Sequence, residues 1–172
     1  MITLKETVKP LTKLWRECKK EIFKMHGVTQ KNAPANAWDY AASKFAEKLE
    51  EIGFEFIGNG CFKRAYACEK RNVVVKLYYH YDNKWKDTPS KKPESIKNHI
   101  IKNLFRDVMI MIQPLVDNSQ DSAWEAEQTL EAIYGKKTCY QYDIKESNVG
   151  LVNGEPVIFD YTKRKSTWVN NW

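Results

Sequence analysis

Asp143-Ile144-Lys145-Glu146-Ser147-Asn148-Val149-Gly150-Leu151-Val152-Asn153-Gly154-Glu155-Pro156-Val157-Ile158-Phe159-Asp160 is the stretch on which the reading of this chain turns. Two apolar segments, Asn148 to Val152 and Glu155 to Tyr161, flank Asn153-Gly154. Asn-Gly between such segments predicts a tight hairpin, because both central residues must take positive φ. The hairpin would fold Asn148 and Asp160 back toward one another. A carboxylate closing a buried strand and a carboxamide oxygen beside it are hard-cation donors suited to Mg²⁺. Asp143 can accept or orient a hydroxyl proton, and Lys145 can neutralise charge on a transferring phosphoryl group.

Upstream, the period of the sequence changes at Gly53. Leu4, Val8, Leu11, Leu14, Trp15, Cys18, Ile22 and Phe23 recur every three or four residues, which predicts a helix over 3–25 carrying Pro10 near its start. Residues 27–36 read as a loop. Asn36 is the expected cap of a second helix whose inward face is Trp38, Ala41, Ala42, Phe45, Leu49 and Ile52. The pair is expected to be antiparallel packing scaffold. Beyond Gly53, Phe54, Phe56 and Arg64 to Cys68 alternate as strands, and Asn72 to Tyr79 reads as a central strand. Residues 80–93 are a polar loop with Pro89 and Pro93. A helix is expected over Glu94 to Phe105, a buried strand over Val108 to Ile112 stopped by Pro114, and a further helix over 120–134.

Two more features precede the hairpin. Gly58-Asn59-Gly60-Cys61-Phe62 lies between predicted strands, where glycines let backbone N–H groups approach phosphate oxygens. Standing alone, such a turn is more often a plain hairpin. Lys76 interrupts Val73-Val74-Val75-Lys76-Leu77-Tyr78. An ammonium centred in a buried strand must be paired or serve a ligand, whereas on an edge strand it would point to water.

In this order, Gly-x-Gly-x-Phe leading to Ala65, strand Lys76, Asp143-x-Lys145-x-x-Asn148 and Asp160 resemble the protein-kinase superfamily. The wording is similar to the early host-takeover serine/threonine kinases of lytic podoviruses, in which a Gly-Phe strand leads into Gly-Asn-Gly-x-Phe-x-x-Ala-Tyr. That string is matched here from Gly53-Phe54 to Ala65-Tyr66. The likeness runs from about Gly53 to Tyr161 and is weak in its middle. It implies an α+β, minimal protein-kinase-like fold: an antiparallel N-lobe sheet and a reduced helical C-lobe, with an N-terminal helix pair. It divides the chain into residues 1–52, 53–116 and 117–172. It further implies ATP and Mg²⁺ as cofactors. Gly58, Asn59, Gly60, Phe62, Ala65 and Lys76 would then hold nucleotide, Asp143 would be the base assisted by Lys145, and Asn148 with Asp160 would hold the metal.

The sequence also departs from that family. Lys63 stands at the third glycine of the loop, Gln141-Tyr142-Asp143 replaces His-Arg-Asp, and Asp160-Tyr161-Thr162 replaces Asp-Phe-Gly. Glu94 is the acidic candidate to pair with Lys76. Residues 161–172 stand where a kinase has its activation segment and peptide-seating helices, and Trp168 and Trp172 within them are expected to plug a surface. The expected function is Mg-ATP-dependent phosphotransfer to protein Ser or Thr. The alternative is a pseudokinase that binds and inhibits a host enzyme or defence factor, with a small-molecule kinase as a lesser reading.

Composition sets the outer bounds. At 42% hydrophobic and 13% aromatic, the 172 residues can build a real core. The apolar run Val108 to Ile112 is far short of the roughly 20 residues a membrane helix needs, and the start of the chain lacks a secretion pattern. Cys18, Cys61, Cys68 and Cys139 have no paired spacing and with three histidines make no zinc signature, so reduced thiols in a cytoplasmic protein are expected. The resemblance to phage kinases implies that this would be the host bacterial cytoplasm if the chain is phage-encoded. A net charge of +6 favours an anionic partner. No nucleic-acid motif accompanies it, so the charge is read as lysines scattered over solvated helix faces and the expected partner is a protein.

Overall fold

The structure is a computed structural model that describes residues 4–60, 62–81 and 93–161. The chain divides into two compact units, residues 1–88 with 103–115 and residues 89–102 with 116–172.

In the first unit, α1 (Leu4–Met25) and α2 (Ala35–Glu51) precede β1 (Glu55–Asn59), β2 (Lys63–Cys68), β3 (Val73–Tyr78), β4 (Phe105–Arg106) and β5 (Ile110–Pro114). The strands form one antiparallel sheet in the order β1-β2-β3-β5-β4. Trp15, Phe45 and Leu49 from the helices share a core with Tyr66, Val75, Leu77 and Ile112 from the sheet. The N-terminal pair is therefore built into this unit and does not form a segment of its own. Register shows how the two faces differ. Phe56, Tyr66, Val75, Ile112 and Phe105 form one cross-strand row, and Gly58, Ala65, Lys76, Met111 and Arg106 form the next, on the opposite face. Arg64, on the same face as Tyr66, reaches Ser43 of α2 at 3.5 Å, which identifies the helix-covered side. Tyr66, Val75, Leu77 and Ile112 thus face the helices, while Lys76 sits on the other face between Ala65 and Met111.

An ion pair ties α1 to the β4–β5 turn. Lys19 Nζ and Trp15 Nε1 donate to Asp107 Oδ2 at 2.5 and 2.6 Å, and the lysine also lies 5.2 Å from the Trp15 ring centroid. Burial pushes the Asp107 carboxyl up, but the Lys19, Trp15 and Val108 hydrogen bonds outweigh it and hold the group below its ordinary range. The turn Asp107-N–H to Ile110 carbonyl, 2.9 Å, consumes Val108 and Met109. This is why the strand expected over 108–112 runs instead over Ile110–Pro114.

In the second unit, α3 (Gln120–Tyr134), α4 (Lys136–Gln141), β6 (Val149–Val152) and β7 (Glu155–Ile158) enclose a core of Ile96, Ile100, Ala126, Leu130, Cys139, Tyr142, Ile144, Val149 and Ile158. The Asn-Gly hairpin forms as expected, with Asn153 and Gly154 at φ 55° and 81°. The helix expected over Glu94–Phe105 does not. Residues 94–99 are turns, Ile100 bridges in parallel to Ile158, and Phe105–Arg106 is strand. The Ile101 N–H bonds the Ile158 carbonyl at 3.0 Å, and the Ile158 N–H bonds the His99 carbonyl at 2.7 Å. Apolar residues at helical spacing fit either conformation, and β7 satisfies the extended backbone of these β-branched residues. Glu94 is consequently not a helical residue; its carboxylate is bonded to Lys97. The second helix starts at Ala35, one residue before the cap expected at Asn36, with Pro34 as its boundary. Among the described residues no helix is long and apolar enough to cross a membrane. Cys18, Cys68 and Cys139 are free and buried.

Candidate active site

The sequence-selected carboxylates lie in the second unit. Helix α4 ends at Gln141, and Asp143 takes φ 55°, a left-handed conformation that Asp tolerates better than most residues. Tyr142 and Ile144, on either side, are buried in the core, and the Ile144 N–H bonds the Cys139 carbonyl at 2.9 Å. The two buried neighbours and the reversed φ fix the backbone on which the Asp143 side chain stands. Non-glycine residues in this region are costly by about 1–3 kcal/mol and gather at functional sites.

From Asp143 the chain passes Lys145 and makes a single 3-10 turn over Glu146–Asn148. Glu127 of α3 accepts the Glu146 N–H at 2.9 Å, capping that turn. The Asn148 amide nitrogen donates to the Asp143 carbonyl at 2.7 Å and to its Oδ2 at 3.1 Å. Both partners are acceptors, so the nitrogen must face them and Oδ1 is turned to the other side. The Asn148 main-chain carbonyl accepts from Phe159 at 3.0 Å and Asp160 at 3.3 Å. Asp143, Asn148 and Asp160 are thereby linked by direct hydrogen bonds, and all three are partly buried. Lys145 Nζ lies 3.3 Å from Asp143 Oδ2, with half of its side chain exposed.

The three residues carry two carboxylates and one carboxamide oxygen, the donor types a hard divalent cation takes. Asp160 joins the others through its main-chain N–H, and its Oδ1 accepts the Tyr161 N–H at 3.0 Å. Among the described residues no group of three or more His, Cys, Asp or Glu is arranged to hold a metal ion. A magnesium here would rest on Asp160 and Asn148, completing its shell with phosphate oxygens and water, as this ion commonly does.

The remaining sequence-selected residues lie in the first unit. Lys76 is partly buried at the centre of β3, flanked in register by Ala65 and Met111. It is not an edge residue, because β3 lies between β2 and β5. Gly58 has φ 149°, at a bulge where β1 shifts register against β2, and is paired with Ala65. Asn59 is exposed and pairs with Arg64. The Gly60 N–H is bonded to the Lys63 carbonyl at 2.8 Å, so this amide closes the hairpin. Phe62 packs against the first unit's core, and its carbonyl accepts from Tyr79 at 3.0 Å. Gly58, Ala65 and Lys76 thus share one row on one sheet face, which sequence spacing alone did not reveal.

Glu127 was missed from sequence. It sits mid-helix among other acidic residues, and only the packing of α3 against the 146–148 turn distinguishes it. Gly150 was missed as well: a Cβ there would stand 2.4 Å from the Asp117 carbonyl oxygen and 2.6 Å from Val116 Cγ1. That close approach permits the paired bonds between Asp117 and Leu151, at 2.8 and 2.9 Å.

Comparison with protein-family models, with curated proteins and with solved structures finds no match.

Proposed function

We propose that this protein is a minimal Mg-ATP-dependent phosphotransferase acting on protein Ser or Thr. The observation that carries the reading is the linkage of Asp143, Asn148 and Asp160 through the Asn148 side-chain amide and main-chain carbonyl. In the proposed mechanism Asp143 accepts the proton of the substrate hydroxyl as the hydroxyl oxygen attacks the γ-phosphorus of ATP, and the bond from that phosphorus to the β,γ-bridging oxygen breaks to release ADP. Asn148 and Asp160 would hold Mg²⁺, which would supply charge neutralisation at the phosphates, and Lys145, 3.3 Å from Asp143, would add to it. For Lys76 a phosphate contact is what the kinase resemblance implies. Phosphoryl transfer demands positioning and charge neutralisation more than covalent chemistry from the protein, so few groups suffice. The resemblance to the kinase superfamily supports the same assignment.

A second reading is favoured by one observation. The Gly60 amide that would approach phosphate is already bonded to Lys63, which fits a pseudokinase retaining the scaffold as a protein-binding module.

The two are separated by thermal shift and radiolabel transfer. On the first reading Mg-ATP raises the melting temperature, Asp160→Ala removes the magnesium-dependent part, and autophosphorylation disappears in Asp143→Ala. Absence of any Mg-ATP shift in the wild-type protein would refute nucleotide use. Nucleotide binding without transfer, equal in wild type and Asp143→Ala, would select the binding module.

A further inference from the structure

The solvent face of α1 carries a straight cationic row. Lys9, Lys13, Arg16, Lys20 and Lys24 are all exposed. At 100° per residue they fall within about 80° of arc and extend over roughly 22 Å. The buried residues Leu11, Trp15, Cys18 and Ile22 occupy the opposite side of the helix. The acids of α1 lie at one edge of the row. Among the ion pairs of the described residues, Glu17 engages Lys13 at 3.8 Å, while Glu21 is held by Lys44 of α2. Lys9, Arg16, Lys20 and Lys24 take part in none of them. Five of the 28 basic residues thus lie in one row on a solvated helix face, while others such as Lys31, Lys70, Lys102 and Lys137 are exposed elsewhere.

We propose that this face of α1 binds the phosphate backbone of double-stranded nucleic acid, without reading sequence. Charge complementarity requires an anionic partner, and the features of the row select among anionic partners. A protein interface normally centres on aromatic or apolar anchors, and no aromatic or large apolar side chain interrupts the row. A membrane-surface helix buries its apolar face in lipid, whereas the apolar face of α1 is occupied by the first unit's own core. The row sets five cations along roughly 22 Å, a length over which a duplex presents about 13 phosphates, so each cation can find a phosphate partner without a matched repeat. The absence of stacking aromatics on the row disfavours single strands, which rely on such platforms.

The experiment measures binding of the full chain to a fluorescent 24-base-pair DNA duplex by anisotropy across potassium chloride concentrations. Each phosphate contact contributes about 0.9 to the slope of log K against log salt, so the wild-type slope is expected near −4. Replacing Lys9, Arg16, Lys20 and Lys24 by Gln should weaken binding at least tenfold at low salt and flatten the slope by about 3.6. Lys31, Lys70, Lys102 and Lys137 are exposed elsewhere, and changing these four to Gln removes the same net charge but should leave the slope near the wild-type value. Lys9→Arg, Lys20→Arg and Lys24→Arg together should bind as wild type, which guards against a folding defect in the Gln variant. No duplex binding by the wild-type protein at low salt would overturn the proposal. So would equal loss in both Gln sets, or row-dependent binding to phosphatidylserine vesicles but not to the duplex.

Discussion

The side-chain amide of Asn148 bridges the main-chain carbonyl and the carboxylate of Asp143, at 2.7 and 3.1 Å. One carboxamide thus bonds twice to the segment that carries the proposed base, while its own oxygen, on the other side, lies 3.4 Å from Ser147 Oγ. The same residue receives the chain returning from the hairpin through its main-chain carbonyl. Structural and proposed catalytic roles therefore converge on it.

Asn148→Ala removes both bonds to Asp143 together with a proposed magnesium ligand. Phosphotransfer is expected to fall by about a hundredfold or more, comparable to loss of one preorganised electrostatic contact, while stability drops by about 1–2 kcal/mol. Steady-state ATP turnover across a magnesium series, with a urea melt of the same variant, checks both. A variant whose turnover and magnesium dependence match wild type would remove Asn148 from the site.

Gly150→Ala drives a Cβ against the Asp117 carbonyl and Val116. Both contacts are well inside van der Waals distance, and one is to backbone, so the strand or the 116–117 segment must shift. Overpacking of this kind costs about 1–3 kcal/mol. Equilibrium denaturation should show it, and hydrogen exchange at the Leu151 amide, which bonds the Asp117 carbonyl at 2.8 Å, should accelerate. Unchanged protection at Leu151 would contradict the packing described.

Acid stability should depend on Asp107. Its folded-state pKa is lowered, so ionisation stabilises the fold fully above the ordinary carboxylate value of 3.8. That stability is lost as pH falls from there through the lower folded value. Asp107→Asn strands a largely buried Lys19 and should cost about 2–3 kcal/mol at pH 7, while its stability curve loses part of the wild-type acid limb. Melting temperatures between pH 2.5 and 7 compare the two; parallel curves would show that Asp107 does not titrate with folding.

Cys139 should be a poor nucleophile in the folded protein. Burial, reinforced by the negative charges of Glu131 and Glu127, raises its thiol to about 11. At pH 8 little thiolate is present, so alkylation by iodoacetamide should be much slower than in urea. Peptide-resolved labelling reports this residue separately, and folded-state labelling at the unfolded rate would argue against its burial.

Local chemistry was legible where the cause is local. Asn153-Gly154 announced its turn because few residues accept positive φ twice in succession. The helix over 120–134 followed from apolar spacing, and it ends as Gly135 reverses the chain with its N–H on the Glu131 carbonyl. Residues 94–105 failed for an equally physical reason: Ile96, Ile100 and Ile101 suit helix and extended chain alike, and the partner that decided was Ile158, far along the sequence. Of the candidate site, residue types and the nearness of Asn148 to Asp160 could be anticipated. The orientation of the Asn148 amide, the left-handed Asp143 and the Glu127 cap could not.

By itself the sequence determined the helices of residues 4–51, the central strand with its single lysine, and the hairpin that returns Asp160 to Asn148. Each follows from periodicity or from the φ preferences of one or two residues. Only tertiary structure decided which sheet face Lys76 occupies, which carboxylate meets Lys19, and why position 150 must be glycine. Those outcomes depend on hydrogen-bond register and close packing between segments distant in the chain, and no short window of sequence encodes them.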